Sequence, residues 1–190
     1  MAISSKLTAE ANALDRGDQL WQALKQKNTK LIKDVLADGA SPNRSSGIVD
    51  TSLLAGYTPL VYVISAYQDP DLCKSVVESL LGSGADIDQV SIGGKTPLYV
   101  ADIKQNINMF TYLLSHNAHV NIPDKRGNTV LMYLVAQPNV TKYIELLIAK
   151  KASLDIYNED NKTALMIARE KNQLAYEDLL RGAQAQRVTC

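Results

Sequence analysis

Three observations in the sequence predict an all-α chain of stacked helix pairs. A short turn motif recurs as "GYTPL", "GKTPL", "GNTVL" and "NKTAL", placing Thr58, Thr96, Thr129 and Thr163 at spacings of 38, 33 and 34 residues. A second motif follows each turn in step, as "LLGSGADID", "LLSHNAHVN" and "LIAKKASLD", with a further copy, "VLADGASPN", ending at Asn43. Between the anchors lie two short apolar stretches, each able to bury one face only if a neighbour covers it. Repetition at a period of about 20–50 residues marks an array whose core is made by stacking.

The elements follow in order. Residues 1–16 form an N-terminal extension in which "SSKLTAEANALD" can add one short helix. The first repeat, residues 17–44, places Trp21, Ala23 and Leu24 on one helix and Leu31, Ile32, Val35 and Leu36 on the next, and reads as an N-terminal cap. From Asp18 to Thr58 is 40 residues, seven more than a 33-residue period, and the excess falls in the insertion 45–56. Its Ile48, Val49, Leu53 and Leu54 are costly to expose. They either fold back onto the stack, the reading preferred here, or form a partner-binding tip.

The second, third and fourth repeats span 55–88, 93–121 and 126–155. Thr58 and Thr96 can cap a helix through their side-chain oxygens, and Pro59 and Pro97 occupy the first helical position, where a missing N–H costs nothing. Leu60, Leu98, Leu131 and Leu165 are the equivalent core positions. Gly39, Gly84 and Gly182 suit the left-handed residue that closes a helix, Asn117 substitutes for Gly there, and Lys151 departs from the rule. Gly56, Gly94 and Gly127 precede their Thr by two residues, where the last copy has Asn161. The five extra residues behind the 38-residue spacing are expected near "YQDPDLC", between the two helices of the second repeat. The fifth repeat, 160–183, interleaves Glu170, Lys171, Asn172, Glu177 and Asp178 with its apolar positions and reads as a C-terminal cap. The tail 184–190 is expected to fray.

These residues resemble the ankyrin repeat, whose pattern runs G-x-T-P-L-H, an Ala-rich first helix, a second helix ending L-L, then G-A-x-x-N. The match covers about residues 17 to 183, in register at both anchors. The resemblance implies a single ankyrin-repeat solenoid domain of about five helix-turn-helix repeats, with short β-hairpin-like turns and a cap at each end. The usual His after T-P-L is replaced by Val61, Tyr99, Met132 and Met166, so the hydrogen-bond network between neighbouring turns is expected to give way to apolar packing. Family contacts fall just before each Thr, three and four residues before it, and seven and eight after it. Counted onto this chain, they nominate Tyr57, Ile92, Lys95, Ile103, Lys104, Lys125, Arg126 and Asn128 as partner-binding residues. Aromatic and Arg side chains tend to carry interface energy, which favours Tyr57 and Arg126.

Composition narrows the function classes. Lys plus Arg and Asp plus Glu both number 20, so no net field draws the chain toward nucleic acid or an anionic membrane. Apolar runs such as Leu60 to Ile64 are far short of the roughly 20 residues that span a bilayer, and no apolar signal core opens the sequence. Cys73 and Cys190 are too few for a disulfide framework and read as free thiols; with no secretory signal, the expected compartment is the cytoplasm. His116 and His119 have the wrong spacing for a helical zinc pair, and Gly93–Gly94 lacks any phosphate-loop pattern. No metal, cofactor or catalytic residue is expected. The resulting expectation is a non-enzymatic protein-binding module, a monomer when free, that acts by covering part of a partner protein. An alternative is a bacterial immunity, antitoxin or effector protein that blocks or recruits a target enzyme.

Overall fold

The computed structural model describes residues 15–46 and 56–188. The described residues are all-α, and their helices come in pairs: α1 Arg16–Lys25 with α2 Thr29–Ala37, α3 Pro59–Ala66 with α4 Pro70–Gly82, and α5 Pro97–Ile103 with α6 Ile107–Ser115. The series continues with α7 Val130–Leu134 and α8 Thr141–Ala149, then α9 Ala164–Glu170 and α10 Leu174–Val188. The chain groups into two compact units, Met1–Ile92 and Gly93–Cys190. Within each unit first helices pack on first helices and second on second: α1 on α3 and α2 on α4 in one, α5 on α7 and α7 on α9, with α8 on α10, in the other.

Local chemistry sets where the helices start. The hydroxyls of Thr58, Thr96 and Thr163 accept from the N–H three residues on, at 3.2–3.4 Å, whereas Thr129 makes no such bond. Leu60, Leu98 and Leu131 are almost fully buried. Leu165, at the equivalent position of the fifth repeat, is only half-buried. Second helices start on Asn28, Asp69 and Asn106, whose side chains cap them. Val140 cannot cap α8, and its N–H donates instead to the Tyr176 hydroxyl of α10 at 2.9 Å.

Most of the described helices stop by one device. At the end of the second helices, the N–H of Ala40, Ala85, Ala118 and Ala152 returns to a carbonyl five residues back, and Gly39, Gly84, Asn117 and Lys151 take positive φ. Lys151, at φ 61°, accepts a conformation unfavourable for its side chain because these bonds and the buried Ala152 hold it there. Three of the first helices, α1, α5 and α9, end in the same way with no glycine to signal it: Lys27, Gln105 and Asn172 have positive φ while Asn28, Asn106 and Gln173 donate to the carbonyls of buried Ala23, Ala101 and Ala168.

Two sequence expectations change. Gly182 lies inside α10 rather than closing a helix, because the residues around it offer no competing turn. The loop between α3 and α4 has three residues, as between α5 and α6, because Asp69 and Pro70 start a helix at once; the extra length goes into α4, with 13 residues against 9 in α6, and α3, with 8 against 7 in α5. The other insertion is located by its ends. Ser46 donates to the Tyr57 carbonyl and accepts from Gly56 N–H, as Asp124 pairs across its own turn with Gly127 and Asn128, so the seven extra residues leave and re-enter at the base of one hairpin. Ile48, Val49, Leu53 and Leu54 themselves lie outside the described residues, as do 1–14 and Cys190.

Candidate protein-binding surface

The hairpin tips are rigid for reasons of side-chain chemistry. In the second unit, Asp124 accepts from the N–H groups of Arg126 and Asn128, both at 2.9 Å, and from the Tyr133 hydroxyl at 2.5 Å. These donors hold its carboxyl below the usual carboxylate range against the opposing effect of partial burial, the largest single influence on it. Asn158 repeats the arrangement in the next tip, accepting from Asp160 and Lys162 N–H. Its amide then donates to the Asn128 side chain at 2.8 Å, and Glu159 N–H donates to the Arg126 carbonyl, tying one tip to the next. A polar network therefore does couple neighbouring turns, built from Asp124, Asn128, Tyr133 and Asn158 instead of the missing His. The T-shaped Tyr99–Tyr133 pair, with ring centroids 4.6 Å apart, packs beneath it.

Glycine is required at the tips by contact as well as by φ. A Cβ on Gly94, at φ 75°, would lie 2.8 Å from the Lys125 backbone nitrogen; one on Gly56, at φ 78°, would collide with the Ile92 side chain.

The nominated residues divide between the units. In the first, Tyr57 is half-buried with its backbone pinned to Ser46, and Ile92 is 57% exposed although its N–H donates to the Gly56 carbonyl. In the second, Lys125 and Arg126 are exposed on the tip and Lys104 is exposed at the end of α5; none of the three makes an ion pair among the described residues. Ile103 beside Lys104 is 46% exposed. Lys95 is half-buried, its ammonium 5.7 Å from the centre of the Tyr99 ring. Asn128 differs from the others, since its amide oxygen is taken by Asn158 and its nitrogen faces the Tyr133 hydroxyl at 3.5 Å.

Sequence reasoning missed Asp102. It lies on α5 where other first helices carry buried Ile64 or Val135, and it is 2% exposed. Among the described residues its one side-chain hydrogen bond is from Gln137 at 3.4 Å, and burial pushes its carboxyl up to about 6. A signal was present in the sequence: an acidic residue at a position that is apolar in repeats two and four.

Among the described residues no cluster of three or more His, Cys, Asp or Glu side chains is arranged to hold a metal ion. Cys73 is fully buried, and burial pushes its thiol up to about 11, which makes it a poor nucleophile. Among the described residues no helix is long and apolar enough to cross a membrane.

The family described as ankyrin repeats in three copies matches this chain over residues 20–124 and 63–157. A mouse B-cell lymphoma 3 protein homolog is 34% identical over 111 residues, 58% of this chain and 24% of that protein. The fowlpox virus putative ankyrin repeat protein FPV031 is 31% identical over 154 residues, 80% of this chain and 42% of its own. A zebrafish putative palmitoyltransferase, ZDHHC13, is 25% identical over 171 residues, 89% of this chain and 24% of its own. The chain thus spans less than half the length of each of these relatives. Ankyrin repeats are in general protein–protein interaction modules, and the repeating turns, paired helices and coupled tips described above lead to the same place as these matches: the chain belongs to the ankyrin-repeat family.

Proposed function

We propose that this chain binds a partner protein through its hairpin tips and the adjoining ends of its first helices, without catalysis, by covering part of the partner's surface. The observation that carries the reading is the treatment of Lys125 and Arg126: their side chains are exposed and make no ion pair among the described residues, while the backbone under them is fixed by Asp124 and by the neighbouring tip. A rigid platform presenting long cationic side chains loses little backbone entropy on binding. Ile103 and Lys104 extend the surface, with Lys95 at its edge; in the first unit Tyr57 and Ile92 supply the aromatic and aliphatic contacts. Asn128 holds the platform together rather than meeting the partner. A partner surface that offers acidic groups to Lys104, Lys125 and Arg126 and an apolar group to Ile103 fits the second unit.

Recovery of the partner by affinity capture from native lysate, followed by titration, tests the reading. Tyr57→Ala combined with Arg126→Glu is expected to weaken binding at least about tenfold, equivalent to about 1.4 kcal/mol, at unchanged melting temperature. Full affinity in the double variant would move the contact elsewhere.

A further inference from the structure

The second unit contains a buried acid with no counter-ion among the described residues. Asp102 is 2% exposed, and no lysine, arginine or histidine pairs with it among the described residues. The titratable groups felt nearby are phenols, Tyr99 one turn earlier on α5 and Tyr143 on α8. Its hydrogen bond from Gln137 is long, at 3.4 Å, and the same Gln137 nitrogen is also 3.5 Å from the Tyr133 carbonyl oxygen, so the amide is held firmly by neither. Gln137 is itself only half-buried, which leaves the carboxylate one movable side chain away from solvent. Packing does not require an acid here, since Ile64 and Val135 fill the equivalent sites in the second and fourth repeats.

We propose that Asp102 is a recessed acceptor for a lysine or arginine side chain of the bound protein, covered in the free chain by Gln137. The assignment rests on the protein-binding reading and adds to it one cationic anchor within an otherwise acidic partner face. An incoming ammonium or guanidinium displaces the Gln137 amide and replaces a weak neutral hydrogen bond with a charge-assisted one. Exposed Ile103, next in sequence, offers apolar surface to the methylene stem of such a side chain. A carboxylate buried without a counter-ion is costly, and its neutralisation on binding recovers that cost only for a cationic ligand. The arrangement therefore selects against a neutral residue of similar shape.

The test uses small probes on the full chain and needs no partner. Methylguanidinium and butylammonium are titrated while the Asp102 carboxyl carbon and the Gln137 side-chain amide are followed by NMR, with butanol and sodium chloride at matched concentration as controls. Both cations are expected to lower the Asp102 midpoint from about 6 and to shift the Gln137 amide saturably, and Asp102→Asn to abolish the saturable shift. Gln137→Ala is expected to strengthen the cation response by removing the cover. A midpoint that moves no further with the cations than with sodium chloride overturns the proposal, as does an equal response to butanol. That failure would leave the tip surface standing, because Arg126 and Tyr57 are read out separately by partner affinity.

Discussion

Asp102 makes a prediction about stability that runs against the usual course of acid denaturation. Its carboxyl titrates near 6 in the folded chain against 3.8 ordinarily, because burial disfavours the charged form and the long Gln137 bond offsets little of this. A folded value raised above the unfolded one contributes stability that is complete below about 3.8 and is lost as pH rises through about 6. The difference of about two units corresponds to roughly 3 kcal/mol at pH 7.5, taking about 1.4 kcal/mol per unit. Asp102→Asn removes the titration while keeping the shape and an acceptor for Gln137. Thermal melts of both proteins by circular dichroism at pH 4.5, 6 and 7.5 isolate the effect, since every other carboxylate is common to the two. The variant is expected to melt about 6–12 °C higher at pH 7.5, at about 2–4 °C per kcal/mol for a chain of this size. The linkage relation shrinks the gain to about a third at pH 4.5. A variant that melts lower than the parent at pH 7.5, or whose gain is the same at every pH, would refute the account of a buried, uncompensated charge.

Three further outcomes test the fold. Leu98→Ala, at a side chain 1% exposed, is expected to cost roughly 2–5 kcal/mol, and an unchanged denaturant midpoint would remove Leu98 from the core. Gly94→Ala and Gly182→Ala should have opposite signs: the first puts a Cβ 2.8 Å from Lys125 N at positive φ, whereas the second adds one in a helix with nothing within 4 Å and should stabilise by roughly 0.4–1 kcal/mol. Tyr176→Phe removes the acceptor for Val140 N–H and should cost about 1–3 kcal/mol, read from the shift in denaturant midpoint at constant slope.

Much of the fold was legible because the repeat's signals are local. A Thr, followed by Pro at two of the three, starts a helix from within four residues of chain, and Gly or Asn soon after the last Leu ends one, so the positions of α3, α5 and α9 and the left-handed residues Gly39, Gly84 and Asn117 could be read directly. The candidate surface was legible to the same extent: offsets from Thr58, Thr96 and Thr129 located exposed Ile92, Ile103, Lys104, Lys125 and Arg126. Tertiary structure decided whatever depends on a partner distant in sequence. Lys27 and Gln105 carry no turn signature, yet take positive φ because the bonds to Ala23 and Ala101 and the packing of those buried alanines pay for it. Gly182 has the signature but continues a helix, since a glycine permits a stop without enforcing one. That the Asn128 amide is taken by Asn158, 30 residues later, was likewise decided only by the fold. Asp102 is the clearest case: an acidic residue on a short helix is ordinarily solvated, and only the packing of neighbouring helices around it removes the water and leaves Gln137 as its single side-chain donor among the described residues.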